Sequence, residues 1–156
     1  MRGILFRGKR PDNGEWVEGF YNHIPNGRLG MDEHLIQTIK ENGKIGMLYN
    51  VDPSTVGQYT GLKDNNGKKI FEGDIIKADN GKQSSISVVK FGEYYPKLFF
   101  AMLDICCTGV QHLNANGFYL KSAKHEDMIL FKSRHLVVIG NVHDNPDLLL
   151  ESKEEK

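Results

Sequence analysis

Cysteine is almost missing from this 156-residue chain: there are two, Cys106 and Cys107, and they are neighbours. Adjacent cysteines reach disulfide geometry only by distorting the peptide between them. No structural staple is expected, and both read as small apolar residues in a reducing compartment. Charge of one sign is not in excess either. Lys plus Arg and Asp plus Glu number 20 each, a formal net charge of zero. That excludes a global field drawing the chain to nucleic acid, a membrane surface or acidic substrates, and leaves room only for a local patch. Long apolar runs are absent as well. The longest, Leu98 to Leu103, falls far short of a membrane span, and the opening MRGILFRGKR has no secretory hydrophobic region. Together these absences predict a cytoplasmic protein with no membrane partner.

Chemistry-bearing patterns are equally sparse. The 6 histidines fall into no HxH, HExxH or CxxC set, so no metal is expected, although a zinc site drawn from Asp104, Cys106, Cys107 and His112 is conceivable. GQYTG, Gly57 to Gly61, has the glycines of a phosphate loop but neither its Lys-Ser/Thr ending nor its strand-then-helix setting. Glu72 and Asp74 are close enough for paired carboxylate chemistry of a hydrolase. They also flank Gly73 at the start of an apolar run, where acidic residues commonly bond local backbone N–H groups, and no partner base is specified nearby. The expectation is a protein without cofactor and without a catalytic set.

What the chain does have is turn signals. Asn-Gly occurs at Asn13-Gly14, Asn26-Gly27, Asn42-Gly43, Asn66-Gly67, Asn80-Gly81 and Asn116-Gly117. Each suits a two-residue mirror-image hairpin loop, and they separate short runs rich in β-branched and aromatic residues. The fold class predicted is mainly β, antiparallel hairpins with few short helices. The hairpin read most clearly pairs Ile4–Arg7 with Trp16–Tyr21, Trp16 lying in the core. Met31 to Lys40 fits either an edge strand or an amphipathic helix; the turn at Asn42 and the run Ile45 to Val51 favour strand. Leu98 to Cys107 reads as a buried strand or a core helix. Leu136 to Val142 is a short strand, and Asn145 with Pro146 opens a brief helix.

The chain is organised around Val51 to Ile76, VDPSTVGQYTGLKDNNGKKIFEGDII. Asp52 caps and Pro53 opens a short helical turn. Gly57 and Gly61 bracket a turn in which Tyr59 packs, each glycine free to take positive φ. Asp64 to Gly67 is a hairpin, and Glu72, Gly73 and Asp74 form a second tight corner.

This central stretch, the amino-terminal ILFRG and the closing VVIGNVHDNPDLL resemble the three landmark segments of the YopX family, small proteins encoded by bacteriophages and by prophages of Gram-positive bacteria. The resemblance runs from Ile4 to Leu149. Gly8 and Lys9 depart from it, standing where family members often have an aromatic and an acidic residue, and Leu98 to Gly117 looks expanded. It implies a β-rich fold whose carboxy-terminal part is an SH3-like barrel, an origin in a mobile element and hence the host cell cytoplasm; it implies no activity. The organisation expected is an amino-terminal β subdomain over 1–62 with the central motif, an SH3-like barrel over 63–150 and a disordered charged tail over 151–156.

The expected function is that of a non-enzymatic binding or interaction module whose partner is a protein or a nucleic acid. Tyr59, Lys63, Lys68, Lys69, Tyr94 and Tyr95 are the candidate surface, since aromatic rings beside lysines stack on and neutralise single-stranded nucleic acid. Tyrosines also fill β cores and lysines populate every surface, so the same residues read equally as structure. Exposed strand edges and the absence of net charge favour a homo-oligomer.

Overall fold

Asparagine–glycine hairpins generate the antiparallel architecture, but through a different turn from the one the dipeptide predicts. The computed structural model describes residues 4–27, 30–79, 84–94, 115–122, 128–129 and 135–150. Two compact units emerge, one made of Met1–Lys63 and Lys69–Phe71, the other of Asp64–Lys68 and Glu72–Lys156.

The first unit holds strands β1 (Phe6–Lys9), β2 (Trp16–Ile24), β3 (Glu33–Ile39), β4 (Ile45–Asn50), β5 (Gly57–Lys63) and β6 (Lys69–Phe71), in the sheet order β4-β3-β2-β1-β5-β6. The β1–β2 hairpin forms with Phe6 opposite Gly19 and Lys9 opposite Trp16, and the ambiguous segment before Lys40 is the strand β3. Gly14, Gly43 and Gly67 have φ of +74°, +75° and +81°, but among the described residues the one non-glycine with positive φ is Asn26. A two-residue mirror-image turn would need positive φ at asparagine too. The hydrogen bonds define longer loops instead. Gly43 N donates to Lys40 O and Lys40 N to Lys44 O, both at 2.8 Å, a three-residue loop closed by glycine in the left-handed region. At Gly14 the loop is one residue longer, Arg10 N bonding Glu15 O at 2.8 Å. Asn116-Gly117 is no turn at all: Gly117 lies within a strand, opposite Gly92. Asn80-Gly81 is outside the described residues.

Ile36, Ile70, Phe71, Leu35 and Val51 make this unit's core. A Cβ on Gly8 would come within 3.0 Å of Val51 Cβ and 3.1 Å of Ile36 Cδ1, so two core side chains close over that glycine. The central motif behaves as expected at Asp52, whose Oδ1 accepts from Ser54 N at 2.9 Å to cap the 3-10 turn Pro53–Thr55. Lys9 N donates to Thr55 Oγ1 at 2.9 Å and Asp52 N to Lys9 O at 2.9 Å, pinning the turn to β1. Gly57 to Gly61 is strand rather than turn. Gly61 alone of the two takes positive φ, +85°, at the bulge where the β5–β6 register shifts. Trp16 is half-buried beneath the Arg7 guanidinium, 4.8 Å from the ring centroid.

The second unit is an antiparallel sheet in the order β10-β9-β8-β7-β11, from β7 (Asp74–Asp79), β8 (Ser84–Tyr94), β9 (Ala115–Ser122), β10 (Met128–Ile129) and β11 (His135–Asn141). Ile75, Ile76, Val89, Val88, Ala78, Leu136 and Val138 are its buried apolar residues among those described. Asn145 opens a helical turn as expected, its carbonyl accepting from Leu148 N at 3.3 Å. The stretches Leu98 to Cys107 and 151–156 lie outside the described residues. No helix among the described residues is long and apolar enough to cross a membrane.

Asp64 ties this unit's longest-range contact. Its Oδ1 accepts from Asn66 N at 2.9 Å and Lys68 N at 2.8 Å, and its Oδ2 from Val138 N at 3.1 Å. Asn65 N donates to Leu136 O at 2.9 Å and Asn65 Oδ1 accepts from Leu136 N at 2.7 Å. Burial by itself would raise the Asp64 pKa. The three amides, Val138 foremost, together with the Lys68 charge outweigh that and hold it below the ordinary carboxylate value. A carboxyl depressed in the folded state stabilises it above the unfolded pKa, and that contribution is lost as pH falls through the folded pKa. Asp64→Ala is therefore expected to cost about 3 kcal/mol at neutral pH, by loss of three charge-assisted bonds, the one to the buried Val138 amide among them. The acid limb of the stability–pH profile flattens with it. Urea unfolding of both proteins across the acid range measures this.

Candidate functional site

The register of β2 against β3 assembles a histidine cluster that no spacing in the sequence announces. His23 lies directly opposite His34, and their rings stack in parallel, centroids 4.6 Å apart and planes 5° from parallel. Tyr21 Oη is 2.5 Å from His34 Nδ1, and Tyr21 in turn packs against Phe6 at 5.5 Å. On the other side, His23 Nε2 meets Asp32 Oδ2 at 3.2 Å, while Asp32 Oδ1 accepts from Asn26 N at 3.1 Å. Burial raises the Tyr21 pKa above its ordinary value. Asp32 is held below the ordinary carboxylate value, first by the Asn26 amide and then by His23.

This cluster borders a groove of about 740 Å³ in the first unit. Met31, Leu35, Leu48, Val51 and Pro53 give it apolar walls, and Asp32, Glu33, His34 and Asn50 add polar groups. Met31 is 62% and Leu48 50% exposed, so the walls are open to a partner. An apolar lining that includes two carboxylates, those of Asp32 and Glu33, suits a segment that carries an apolar side chain beside a cationic one.

The residues singled out from sequence are placed differently. Tyr59 is half-buried with its ring 5.4 Å from that of Phe71, a packing role. Lys63 and Lys69 face each other across β5 and β6, and Lys69 Nζ pairs with Glu18 Oε2 at 2.5 Å. Lys68 belongs to the second unit's hairpin, and Tyr94 ends β8, opposite Ala115; Tyr95 is outside the described residues. Glu72 and Asp74 flank Gly73, whose φ is +81°. Gly73 N donates to Val89 O and Gly73 O accepts from Val142 N, both at 2.9 Å. Glu72 is half-buried and Asp74 is buried, and neither lines the groove. Among the described residues no three His, Cys, Asp or Glu are grouped to hold a metal; Asp104, Cys106, Cys107 and His112 fall outside them.

The family model described as YopX protein matches residues 5–150. The chain belongs to the YopX family. The crystal structure of protein EF1440 from Enterococcus faecalis is similar to this YopX-family chain, at 20% identity over 96% of this chain and 99% of that one, with a TM-score of 0.47. No curated protein matches. The family match takes in every strand from β1 to β11, groove and histidine cluster included.

Asp32 provides a direct check on the cluster. Its carboxyl is expected to titrate below the ordinary range in a carbon-detected NMR titration. His23→Gln moves the midpoint up part of the way, because the Asn26 amide remains. An unchanged midpoint in the variant contradicts the His23–Asp32 contact.

Proposed function

We propose that this protein is a non-enzymatic interaction module of a phage or prophage, working in the host cytoplasm, and that the groove beside His34 takes an extended segment of a protein partner. The observation that carries the reading is the groove's composition: apolar lining from Met31, Leu35, Leu48, Val51 and Pro53, with Asp32 and Glu33 in the same lining. Such a surface selects by shape and sign rather than by bond making. The five-stranded antiparallel sheet of the second unit, in which β11 returns to pair with β7, supports reading that unit as the scaffold of an SH3-like barrel. Glu72 and Asp74 belong to that scaffold, at the corner built on Gly73.

A second reading, single-stranded nucleic acid bound through Tyr59, Lys63, Lys68, Lys69, Tyr94 and Tyr95, has the facing Lys63–Lys69 pair in its favour. Against it stand the engagement of Lys69 by Glu18 and the packing of Tyr59 on Phe71.

A peptide array probed with the full chain separates these. Retained peptides are expected to combine an apolar residue with a neighbouring Lys or Arg. Met31→Glu weakens their binding about tenfold, and the pair Asp32→Lys with Glu33→Lys turns the preference toward acidic peptides. An array without such enrichment overturns the groove reading, and salt-sensitive retention of labelled single strands puts nucleic acid in its place. Turnover of a peptide, phosphoester or nucleotide, abolished by Asp74→Asn, would sink the non-enzymatic reading altogether.

A further inference from the structure

We propose that the protein self-associates by antiparallel pairing of β4 with the β4 of a second copy, the two-fold axis passing beside Leu48. This goes beyond the groove reading and does not depend on it. Among the described residues β4 is the terminal strand of its sheet, and its sequence, IGMLYN, contains no charge. Ile45, Met47 and Leu48 are 66%, 65% and 50% exposed, and Ile39, opposite Ile45, is 41% exposed. Terminal strands are ordinarily blunted by charge, proline or a covering segment. The second unit follows that rule at β11, whose outer backbone groups at Leu136 and Val138 are met by Asn65 and Asp64. The first unit leaves β4 apolar and uncovered among the described residues.

The hydrogen-bond phase fixes the register. Val51 N bonds inward to His34 O at 2.9 Å, and Lys40 N to Lys44 O at 2.8 Å. Since successive residues of a strand direct their backbone groups to alternate sides, Asn50, Leu48 and Ile45 aim theirs away from β3. The three-residue step between Ile45 and Leu48 reflects the shift in the β3–β4 register. A two-fold axis at Leu48 sets Leu48 against Leu48 and Ile45 against Asn50 of the second copy, on both sides of the axis. It also brings Lys44 alongside Val51 and Asp52 of the second copy, again twice.

That end-to-end match of charge is why the occupant is another copy of this chain. The strand is flanked by a cation at its start and an anion at its end, and antiparallel self-pairing joins them at both ends. A net charge of zero leaves no global repulsion between copies. Leu48 and Asn50 also line the groove, and residues opposed across an antiparallel ladder share one face. Pairing therefore places the two grooves side by side on one face of a sheet continuous through both copies.

Sedimentation equilibrium of the full chain, from micromolar toward millimolar concentration, tests this. The wild type is expected to reach a dimer. Leu48→Lys, which sets two ammonium groups against each other at the axis, is expected to weaken dimerisation about a hundredfold or more while keeping the thermal unfolding transition. Met31→Glu, in the groove but off the edge strand, still dimerises. Should Leu48→Lys fail to fold, Asn50→Pro serves instead: its N–H points away from β3, so proline removes no bond within the chain yet blocks the ladder. A wild type that stays monomeric, a species other than a dimer, or a folded Leu48→Lys or Asn50→Pro that dimerises as well as the wild type overturns the proposal.

Discussion

A backbone amide turned toward the interior must find an acceptor, and in the second unit one side chain accepts from three of them, two at a chain reversal and one within a strand. Asp64 collects the N–H groups of Asn66 and Lys68 in its own loop and of Val138, 74 residues away. Each bond is charge-assisted, and the Val138 donor left without it would be a buried amide without an acceptor. The consequence reaches past the loop. With Asn65 exchanging two bonds with Leu136, the hairpin behaves as a short extra strand laid on β11, whose other edge belongs to β7. The buried row of Leu136 and Val138 is thus set in register from both sides.

The places where the chain reverses were legible in the sequence; the way it reverses was not. Asn-Gly marks a left-handed glycine correctly at positions 14, 43 and 67, because a left-handed residue ends both the two-residue and the longer loops. What separates them is the asparagine. Asn13 Oδ1 accepts from Glu15 N at 3.0 Å and Asn42 Oδ1 from Lys44 N at 3.1 Å, a local bond to the amide two residues on. Asn66 is served from outside by Asp64. In each case asparagine keeps negative φ and the loop lengthens. Asn116-Gly117 shows the limit of the signal: facing Gly92 across β8 and β9, it is absorbed into a ladder, since pairing partners outweigh a dipeptide's preference.

The candidate site was not legible for a related reason. His23 and His34 are separated by a connection that is not a tight hairpin, so their confrontation follows from a register set elsewhere, by Tyr21 against Ile36 and Gly19 against Thr38. Ile36 is wholly buried, and slipping the pairing by one residue would turn it to the opposite face. Core burial, not histidine chemistry, brings the two rings together. Tyr59 and Lys69 illustrate the converse: prominent as letters, they are absorbed into packing on Phe71 and a pairing with Glu18.

The two units treat the same liability in opposite ways, and this contrast links the fold to its use. A strand edge is a row of backbone groups seeking partners, and a chain that had no use for it would be expected to cover or charge it. β11 has its row filled by Asp64 and Asn65. β4 turns the backbone groups of Ile45, Leu48 and Asn50 outward between Lys44 and Asp52, and Leu48 and Asn50 also line the groove. Gly46 belongs to the same design: a Cβ there would run into the Thr38 hydroxyl, which donates to Met47 O at 3.0 Å. That bond occupies the carbonyl of the residue at the register shift, so the shift leaves the outward groups at Ile45, Leu48 and Asn50 as the ones in search of a partner.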